Sequence, residues 1–440
     1  MSFEIGKILT KQKQYKKALH IFKKIIEIKP NDLSINFQIG KIYYELNDIN
    51  KSISFFKKCN EIKPNIPYVL FNLALALQST GKIEEAKNQY KKLISMYPKD
   101  IKSYYGLFML NPKTIDSNYF QKLNHLIKDS NTGLFEKSLI NFIFSKIKKE
   151  EGNLDEEIKL LDISHQQCYN SNFEYNNQSN FYYKNIISNY FNKYNFEGEF
   201  NSIKKLNNSE HIFIIGLPRS GSTLVETIIS HNSKNIYSVG EFHAVNTSIL
   251  NQIGREIFSK DFVKENYRPK INKKKFQESL IEKYNNFDEE IFLDKSLENF
   301  FNIDIILEFF PNAKFIHTFR NINDAIIGIY QTMLPELSWS HNIEDIINYI
   351  KIYQKVVNYF KNKYPKKIID VDLGKLTIDP EKEVKDILNF CKISINDNFL
   401  NFDKNKKLFN KTNSFLQVRN KIKKYEDNKY KRYYDLLDNF

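Results

Sequence analysis

The first hundred residues of this 440-residue chain repeat with a period of 34 positions, and this period constrains the fold more than any other feature. Pro30, Pro64 and Pro98 recur at that spacing. Two further sets of positions follow the same period, one occupied by small residues and one by aromatic residues. The small residues are Gly6, Gly40 and Ala74, with Ala18, Ser52 and Ala86, and the aromatic residues are Phe22, Phe56 and Tyr90. We therefore predict units of two helices, in which a small residue lets the helices approach, an aromatic ring fills the gap and proline ends the unit.

A two-helix unit of this length resembles the tetratricopeptide repeat. The resemblance implies an α-solenoid with three clear units over residues 1–100 and degenerate repeats over 101–167. A fourth unit begins at Ile101 but loses register near Asn111, and another helix pair is predicted at about 134–167. The concave face of such a solenoid would recruit a protein partner. Alternatively, the solenoid would pack on the domain that follows it in the chain or cap a dimer.

The remainder of the chain divides into a connector and a second domain. Residues 168–208 are rich in Asn, Tyr and Phe and hold one predicted helix, so we interpret them as a helical connector. We place the repeat domain at 1–167 and the second domain at 209–440.

The chain is strongly basic, with 60 Lys, 6 Arg and a formal net charge of +14. Because the charged runs are spread along helices rather than clustered, they favour a solvated surface, and no nucleic-acid partner is expected. The three cysteines are far apart and form neither a disulfide framework nor a metal-ligand pattern. No apolar run reaches the roughly 18 residues of a membrane span, and no signal peptide is found, so we expect a cytoplasmic protein.

A glycine-rich loop marks the start of the second domain. Residues 212–215 read as a buried strand and residues 222–230 as a helix, with the loop between them. Gly216 and Gly221 keep the spacing of a nucleoside-triphosphate loop, and Thr223 keeps its hydroxyl. The expected lysine, however, is replaced by serine at position 222, while the loop itself carries an arginine at position 219. Backbone amides in this context bind an anion, and the arginine suits one other than a triphosphate.

The run Pro218-Arg-Ser-Gly-Ser-Thr223 resembles the 5′-phosphosulfate loop of sulfotransferases that use 3′-phosphoadenosine-5′-phosphosulfate. It is most similar to the tyrosylprotein sulfotransferase branch and to bacterial proteins that join tetratricopeptide repeats to such a domain. The resemblance implies a P-loop-like α/β domain with a parallel sheet. It also implies that the 5′-phosphosulfate is held by six residues, namely Pro218, Arg219, Ser220, Gly221, Ser222 and Thr223.

Motifs downstream of the loop keep the order of that family. The resemblance makes Glu241 the catalytic base, which takes the proton of the acceptor hydroxyl. It assigns Lys295 to the site, and together with Arg219 this lysine would stabilise the charge that develops as the sulfate ester bond breaks. Arg320 follows a predicted strand at 314–319 and would bind the 3′-phosphate.

The last motif of the chain resembles the segment that closes over the nucleotide. Ser414, Gln417 and Arg419 match this segment, and Arg419 would join Arg320 on the 3′-phosphate. Two positions depart from the family. Gly328 stands where a serine usually contacts the 3′-phosphate, and Leu373 stands where a tyrosine is often found.

These motifs predict sulfuryl transfer from 3′-phosphoadenosine-5′-phosphosulfate to an acceptor hydroxyl, without a metal. The acceptor implied by the resembling branch is a peptide or protein tyrosine, and a sugar or a small alcohol stays open. The two departures motivate an alternative, a nucleotide-binding scaffold without catalysis. A third possibility, a kinase-like phosphoryl transferase, rests on the glycine spacing alone. The missing loop lysine argues against it.

Overall fold

The structure is a computed structural model, and it describes residues 2–199, 210–254, 268–284, 291–401, 422, 424–426 and 429–437. The chain divides between Asn172 and Phe173 into two compact units. No helix within the described ranges is both long enough and apolar enough to cross a membrane.

Among the described residues, the first unit contains helices and no strand. Its helices are α1 Ser2–Lys11, α2 Tyr15–Ile28, α3 Leu33–Glu45, α4 Ile49–Ile62, α5 Pro67–Ser79, α6 Ile83–Met96, α7 Ile101–Leu110, α8 Ser117–Leu126, α9 Leu134–Glu150 and α10 Leu154–Asn170, with a 3-10 turn at Pro112–Thr114. Helices α1 to α6 form the three predicted two-helix units, and α9 with α10 forms the helix pair predicted at about 134–167. The predicted helical solenoid is therefore confirmed.

Local signals set where these helices begin. The Asp32 carboxylate accepts a hydrogen bond from the backbone N–H of Ile35 at 3.0 Å, which caps the start of α3. Helix α5 begins instead with Pro67, whose missing N–H costs nothing at the first helical position. Such caps satisfy backbone groups that a helix end leaves without intrahelical partners.

The small residues of the repeat allow close contact between helices. A Cβ atom added at Gly40 would lie 2.8 Å from the Phe56 ring, and one added at Gly6 would lie 2.6 Å from the Phe22 ring. Tyr90 makes the corresponding contact with Gly106 of α7, where an added Cβ would lie 2.5 Å from the ring. Gly106 lies outside the 34-residue series, so the sequence pattern did not indicate it.

We predict that Gly40→Val destabilises the repeats by about 1–3 kcal/mol, because the new side chain must displace the Phe56 ring from a closely packed contact. Equilibrium unfolding of the full chain, followed by circular dichroism of its helices, measures this loss. Lys41→Val is the matched control, since Lys41 lies on the same helix and is exposed. Equal stability of the two variants would contradict the close contact.

In the part of the chain that the structure describes, the second unit combines helices with a five-stranded sheet. Its strands are β1 Asn195–Glu197, β2 Ile212–Gly216, β3 Ile236–Gly240, β4 Lys270–Asn272, β5 Ile291–Asp294, β6 Lys314–Phe319 and β7 Ile368–Asp372. Its helices are α11 Phe173–Phe181, α12 Ser222–Asn232, α13 Ala244–Ile253, α14 Lys273–Tyr284, α15 Ile303–Phe309, α16 Ile322–Tyr330, α17 Ile343–Lys363, α18 Leu373–Ile378 and α19 Pro380–Phe390. Short helical segments follow α11 at Tyr182–Ile187 and Ser188–Tyr190, and 3-10 segments lie at Leu297–Asn302, Ser338–His341 and Lys431–Leu437.

The main sheet is parallel throughout, in the order β3-β5-β2-β6-β7, while β1 and β4 form a separate parallel pair. The chain leaves β2 for β3 on one side and leaves β6 for β7 on the other. The direction of winding therefore reverses between the adjacent strands β2 and β6, and a crevice at their carboxyl ends is where such sheets bind ligands. The predicted fold class, a helical solenoid followed by an α/β domain with a parallel sheet, is confirmed.

Candidate functional site

The loop after β2 requires glycine at both of its ends. Gly216 pairs with Thr318 of β6, and a Cβ atom there would lie 2.3 Å from the Thr318 carbonyl oxygen. Gly221 has a φ of 86°, and a Cβ atom there would lie 2.7 Å from a methyl carbon of Leu373. Both positions combine a close neighbour with a left-handed backbone, so only glycine is accommodated without strain.

The loop presents one buried hydroxyl that has no hydrogen-bond partner among the described residues. Ser220 is 1% exposed, and its hydroxyl forms no hydrogen bond within the described part of the chain. Helix α12 begins at Ser222, next to Thr223, and no side chain caps it at Gly221. Buried donors of this kind need an acceptor, and the N-terminus of a helix attracts negative charge. The loop therefore has the properties of an anion site.

Arg320 joins this loop from the end of β6. The guanidinium is largely buried, and Nη1 donates a hydrogen bond to the Arg219 carbonyl oxygen at 3.2 Å. Nη2 donates to Asp324 at 3.3 Å and to the Tyr425 hydroxyl, while Nε is buried without a partner among the described residues. Burial lowers the pKa of the Arg219 guanidinium, and the like charge of Arg320 adds to this effect. An anion next to Arg219 and Arg320 would offset both the burial of the Arg219 guanidinium and its repulsion by Arg320.

A second cluster lies at the ends of β3 and β5. Lys295 is 1% exposed, and its Nζ lies 2.9 Å from Glu241 Oε1 and 3.3 Å from Glu226 Oε2. Burial lowers the pKa of Lys295, but the carboxylates of Glu226 and Glu241 outweigh it, so the net shift is upward. Partial burial raises the pKa of Glu241, but the ammonium of Lys295 outweighs it and holds that pKa below its usual value. Both groups are therefore charged at neutral pH.

Sequence reasoning missed Glu226. This residue lies on α12 and also accepts a hydrogen bond from the Ser238 hydroxyl of β3, so it links the loop helix to the sheet. Its signal in the sequence is a single carboxylate within an apolar helical run, next to Val225 and before Ile228. A charged residue on a face that is otherwise buried needs a partner of opposite charge, and Lys295 is that partner.

His243 extends the second cluster. It has a left-handed φ of 54°, and its Nδ1 lies 2.5 Å from Glu298 Oε1. The negative charge of Glu298 is the main cause that raises the pKa of His243 to about 9, although burial opposes the shift. At neutral pH the imidazole therefore adds a positive charge close to Glu241.

The parallel sheet brings the predicted residues to one edge. Glu241 follows β3, Lys295 follows β5, the loop with Arg219 follows β2 and Arg320 follows β6, and these four strands are neighbours in that order. Ser414, Gln417 and Arg419 lie outside the described residues. Pro218 is partly buried at the start of the loop.

Profiles of two known families match parts of the chain. A family profile described as "Sulfotransferase family" matches residues 211–397. This match lies within the second domain, which we call the sulfotransferase domain after the profile. The profile of the tetratricopeptide repeat matches residues 1–32, 33–66 and 67–100, upstream of the sulfotransferase domain.

Individual relatives of the chain are distant. An uncharacterized protein of Aquifex aeolicus (strain VF5) is 25% identical over 392 residues, which cover 82% of this chain and 48% of that protein. The chain thus spans about half the length of the curated relative it matches. The sulfotransferase domain from the Synechococcus PCC 7002 olefin synthase is 16% identical, with a TM-score of 0.37 over 53% of this chain and 91% of that one. Sulfotransferase STF1 from Mycobacterium tuberculosis H37Rv is 10% identical, with a TM-score of 0.34 over 64% of this chain and 90% of that one.

We predict that the sulfotransferase domain loses stability as the pH rises from about 6.5 to about 9. The unfolded chain releases the His243 proton near pH 6.5, whereas the folded protein holds it to about 9. The charged pair of His243 and Glu298 therefore contributes its full stabilisation below pH 6.5. This contribution to the free energy of unfolding is lost as the pH rises to about 9.

Denaturant unfolding, followed by the fluorescence of Trp339, the single tryptophan of the chain, measures this loss. His243→Asn should flatten the pH dependence, because asparagine tolerates the left-handed backbone and lacks the charge. His20→Asn is the matched control, since His20 is an exposed histidine of the repeats. Parallel pH profiles for wild type and His243→Asn would contradict the assignment.

Proposed function

We propose that the sulfotransferase domain transfers a sulfuryl group from 3′-phosphoadenosine-5′-phosphosulfate to an acceptor hydroxyl. One observation carries the proposal. The largely buried guanidinium of Arg320 donates to the backbone carbonyl of Arg219 just before helix α12, beside a buried Ser220 hydroxyl that lacks a partner among the described residues. This arrangement suits a ligand that carries more than one anionic group.

The residues at this edge suit the proposed donor. The loop Pro218–Thr223 would hold the 5′-phosphosulfate through backbone N–H groups and hydroxyls. Arg320, together with Ser414, Gln417 and Arg419, would hold the 3′-phosphate. A cavity of about 610 Å³, lined in part by Arg320, Asp372 and Tyr425, opens next to this site and is large enough for a nucleoside.

The second cluster supplies the groups that the reaction needs. Glu241 would accept the proton of the acceptor hydroxyl as its oxygen bonds to sulfur and the bridging bond to the phosphate breaks. The leaving group is 3′-phosphoadenosine-5′-phosphate. Lys295 and Arg219 would stabilise the negative charge that develops on the bridging oxygen and the sulfonate. The scheme requires no metal.

A second candidate is a nucleotide-binding scaffold without catalysis. It is favoured by Gly328 and Leu373, where the family's serine and tyrosine are absent. The Leu373 side chain packs on the Gly221 position of the loop. Selective nucleotide binding without turnover on any acceptor would support the scaffold.

We propose a peptide or protein tyrosine as acceptor, as in the resembling branch, with a sugar or a small alcohol as the other classes. The repeats, within 1–167, would recruit the acceptor or a protein partner on their concave face. In this proposal residues 168–208 connect them to the catalytic domain at 209–440.

We predict that Arg320→Gln weakens binding of 3′-phosphoadenosine-5′-phosphate about 10- to 150-fold, because hydrogen bonds to a charged group contribute about 1.5–3 kcal/mol. Calorimetric titration beside ADP and Mg²⁺-ATP measures the effect, and Trp339 fluorescence checks folding. Arg268→Gln is the matched control, since Arg268 is exposed. A wild-type protein that prefers Mg²⁺-ATP would instead favour phosphoryl transfer.

We predict that Glu241→Gln lowers turnover about 100- to 10,000-fold while nucleotide affinity stays within a few fold, because the amide cannot accept the proton. Transfer of labelled sulfate from the donor to a panel of tyrosine peptides, sugars and alcohols measures turnover. Glu336→Gln, at an exposed glutamate, is the control. If transfer survives in both Glu241→Gln and Arg219→Ala, the proposed mechanism is wrong.

A further inference from the structure

Position 328 faces the anion site and has room for a side chain. A Cβ atom added at Gly328 would lie 3.7 Å from Arg320 Nη1, 3.8 Å from Arg219 Cβ and 3.7 Å from the Tyr430 hydroxyl. These are ordinary van der Waals distances, so neither packing nor backbone strain demands glycine here. The absence of a side chain leaves open the space between the two arginines and the phenol.

Tyr430 reaches this space from the C-terminal segment of the chain. The residue is 7% exposed, and the Arg320 guanidinium lies over its ring at 5.3 Å. Its hydroxyl is close enough to the Arg219 guanidinium to raise the pKa of that group. Within the described residues this hydroxyl forms no hydrogen bond, whereas the neighbouring Tyr425 hydroxyl already accepts one from Arg320.

The segment around Tyr430 is docked on α16. The Tyr434 hydroxyl donates a hydrogen bond to Asp324 Oδ1 at 2.7 Å, and the other oxygen of Asp324 accepts from Arg320. The backbone N–H of Tyr433 donates to the Tyr430 carbonyl at 2.9 Å. Contacts within the chain therefore hold the phenol in place, and such pre-organisation reduces the entropy lost on binding.

We propose that the Tyr430 hydroxyl is a ligand of the bound nucleotide and donates to its 3′-phosphate the hydrogen bond that Gly328 cannot provide. A phenol donates one O–H bond, and a phosphate oxygen held by Arg320 is an acceptor within its reach. This inference rests on the proposed function, because it assumes that the anion beside Arg320 is the 3′-phosphate of the donor nucleotide.

Two substitutions test the inference together. Tyr430→Phe removes the hydroxyl and keeps the ring, and we expect it to weaken binding of 3′-phosphoadenosine-5′-phosphate about tenfold or more. Binding of ADP, which lacks the 3′-phosphate, should change less than twofold. Adding Gly328→Ser to Tyr430→Phe should restore most of the affinity, because the new hydroxyl would lie next to the position that the phenol left. Calorimetry of the full chain measures affinity, and the rise of the thermal midpoint with nucleotide is an independent readout.

Each outcome bears on a different claim. If wild type binds the nucleotide selectively but Tyr430→Phe binds it as tightly or more tightly, the hydroxyl is not a ligand. This result overturns the inference and leaves the proposed function unchanged. A folded Tyr430→Phe protein that binds weakly, and that Gly328→Ser does not rescue, also overturns it, because the tyrosine would then act through docking of its segment. Absence of selective binding by folded wild type overturns the proposed function and this inference together.

Discussion

The pairing of β2 with β6 is the contact on which the site depends. It sets Gly216 against Thr318 so closely that no side chain fits between them. This register brings the residue after β6, Arg320, within 3.2 Å of the Arg219 carbonyl oxygen. The positive charge of Arg320 is thereby close enough to lower the pKa of Arg219, and an anionic ligand would stabilise both groups. Arg219 has a left-handed backbone with a φ of 67°, a conformation that costs free energy in a residue other than glycine.

The neighbouring cluster consists of one buried lysine and two carboxylates that pair with it. Lys295 is almost fully buried, and a buried ammonium is tolerated only with partners of opposite charge. Glu226 meets it from the loop helix and Glu241 from the end of β3. Because Glu241 remains half exposed, the side that faces solvent is open to an acceptor. Both carboxylates pair with the lysine, and Glu241 is the more exposed of the two, as the proposed proton transfer requires.

Several elements were predictable because their signals are local. The 34-residue recurrence of proline, small and aromatic residues determines the helix pairs of α1 to α6. The strand at 314–319 and the loop between Gly216 and Gly221 were predicted at their observed positions. Other contacts were not predictable in this way. Gly106 lies outside the repeat period, yet it packs against Tyr90, and Glu226 is four positions into a helix that reads as apolar.

The sequence by itself determined the repeats, the order of the motifs and the types of residue at the proposed site, since each depends on neighbours within a few tens of positions. Tertiary structure decided which of these residues meet. Lys295 is 54 positions from Glu241, and Arg320 is 101 positions from Arg219. Tyr430 approaches both arginines from the end of the chain, where no local pattern indicates it. Such contacts depend on strand order and register, which parallel sheets set through long crossovers rather than through adjacent residues.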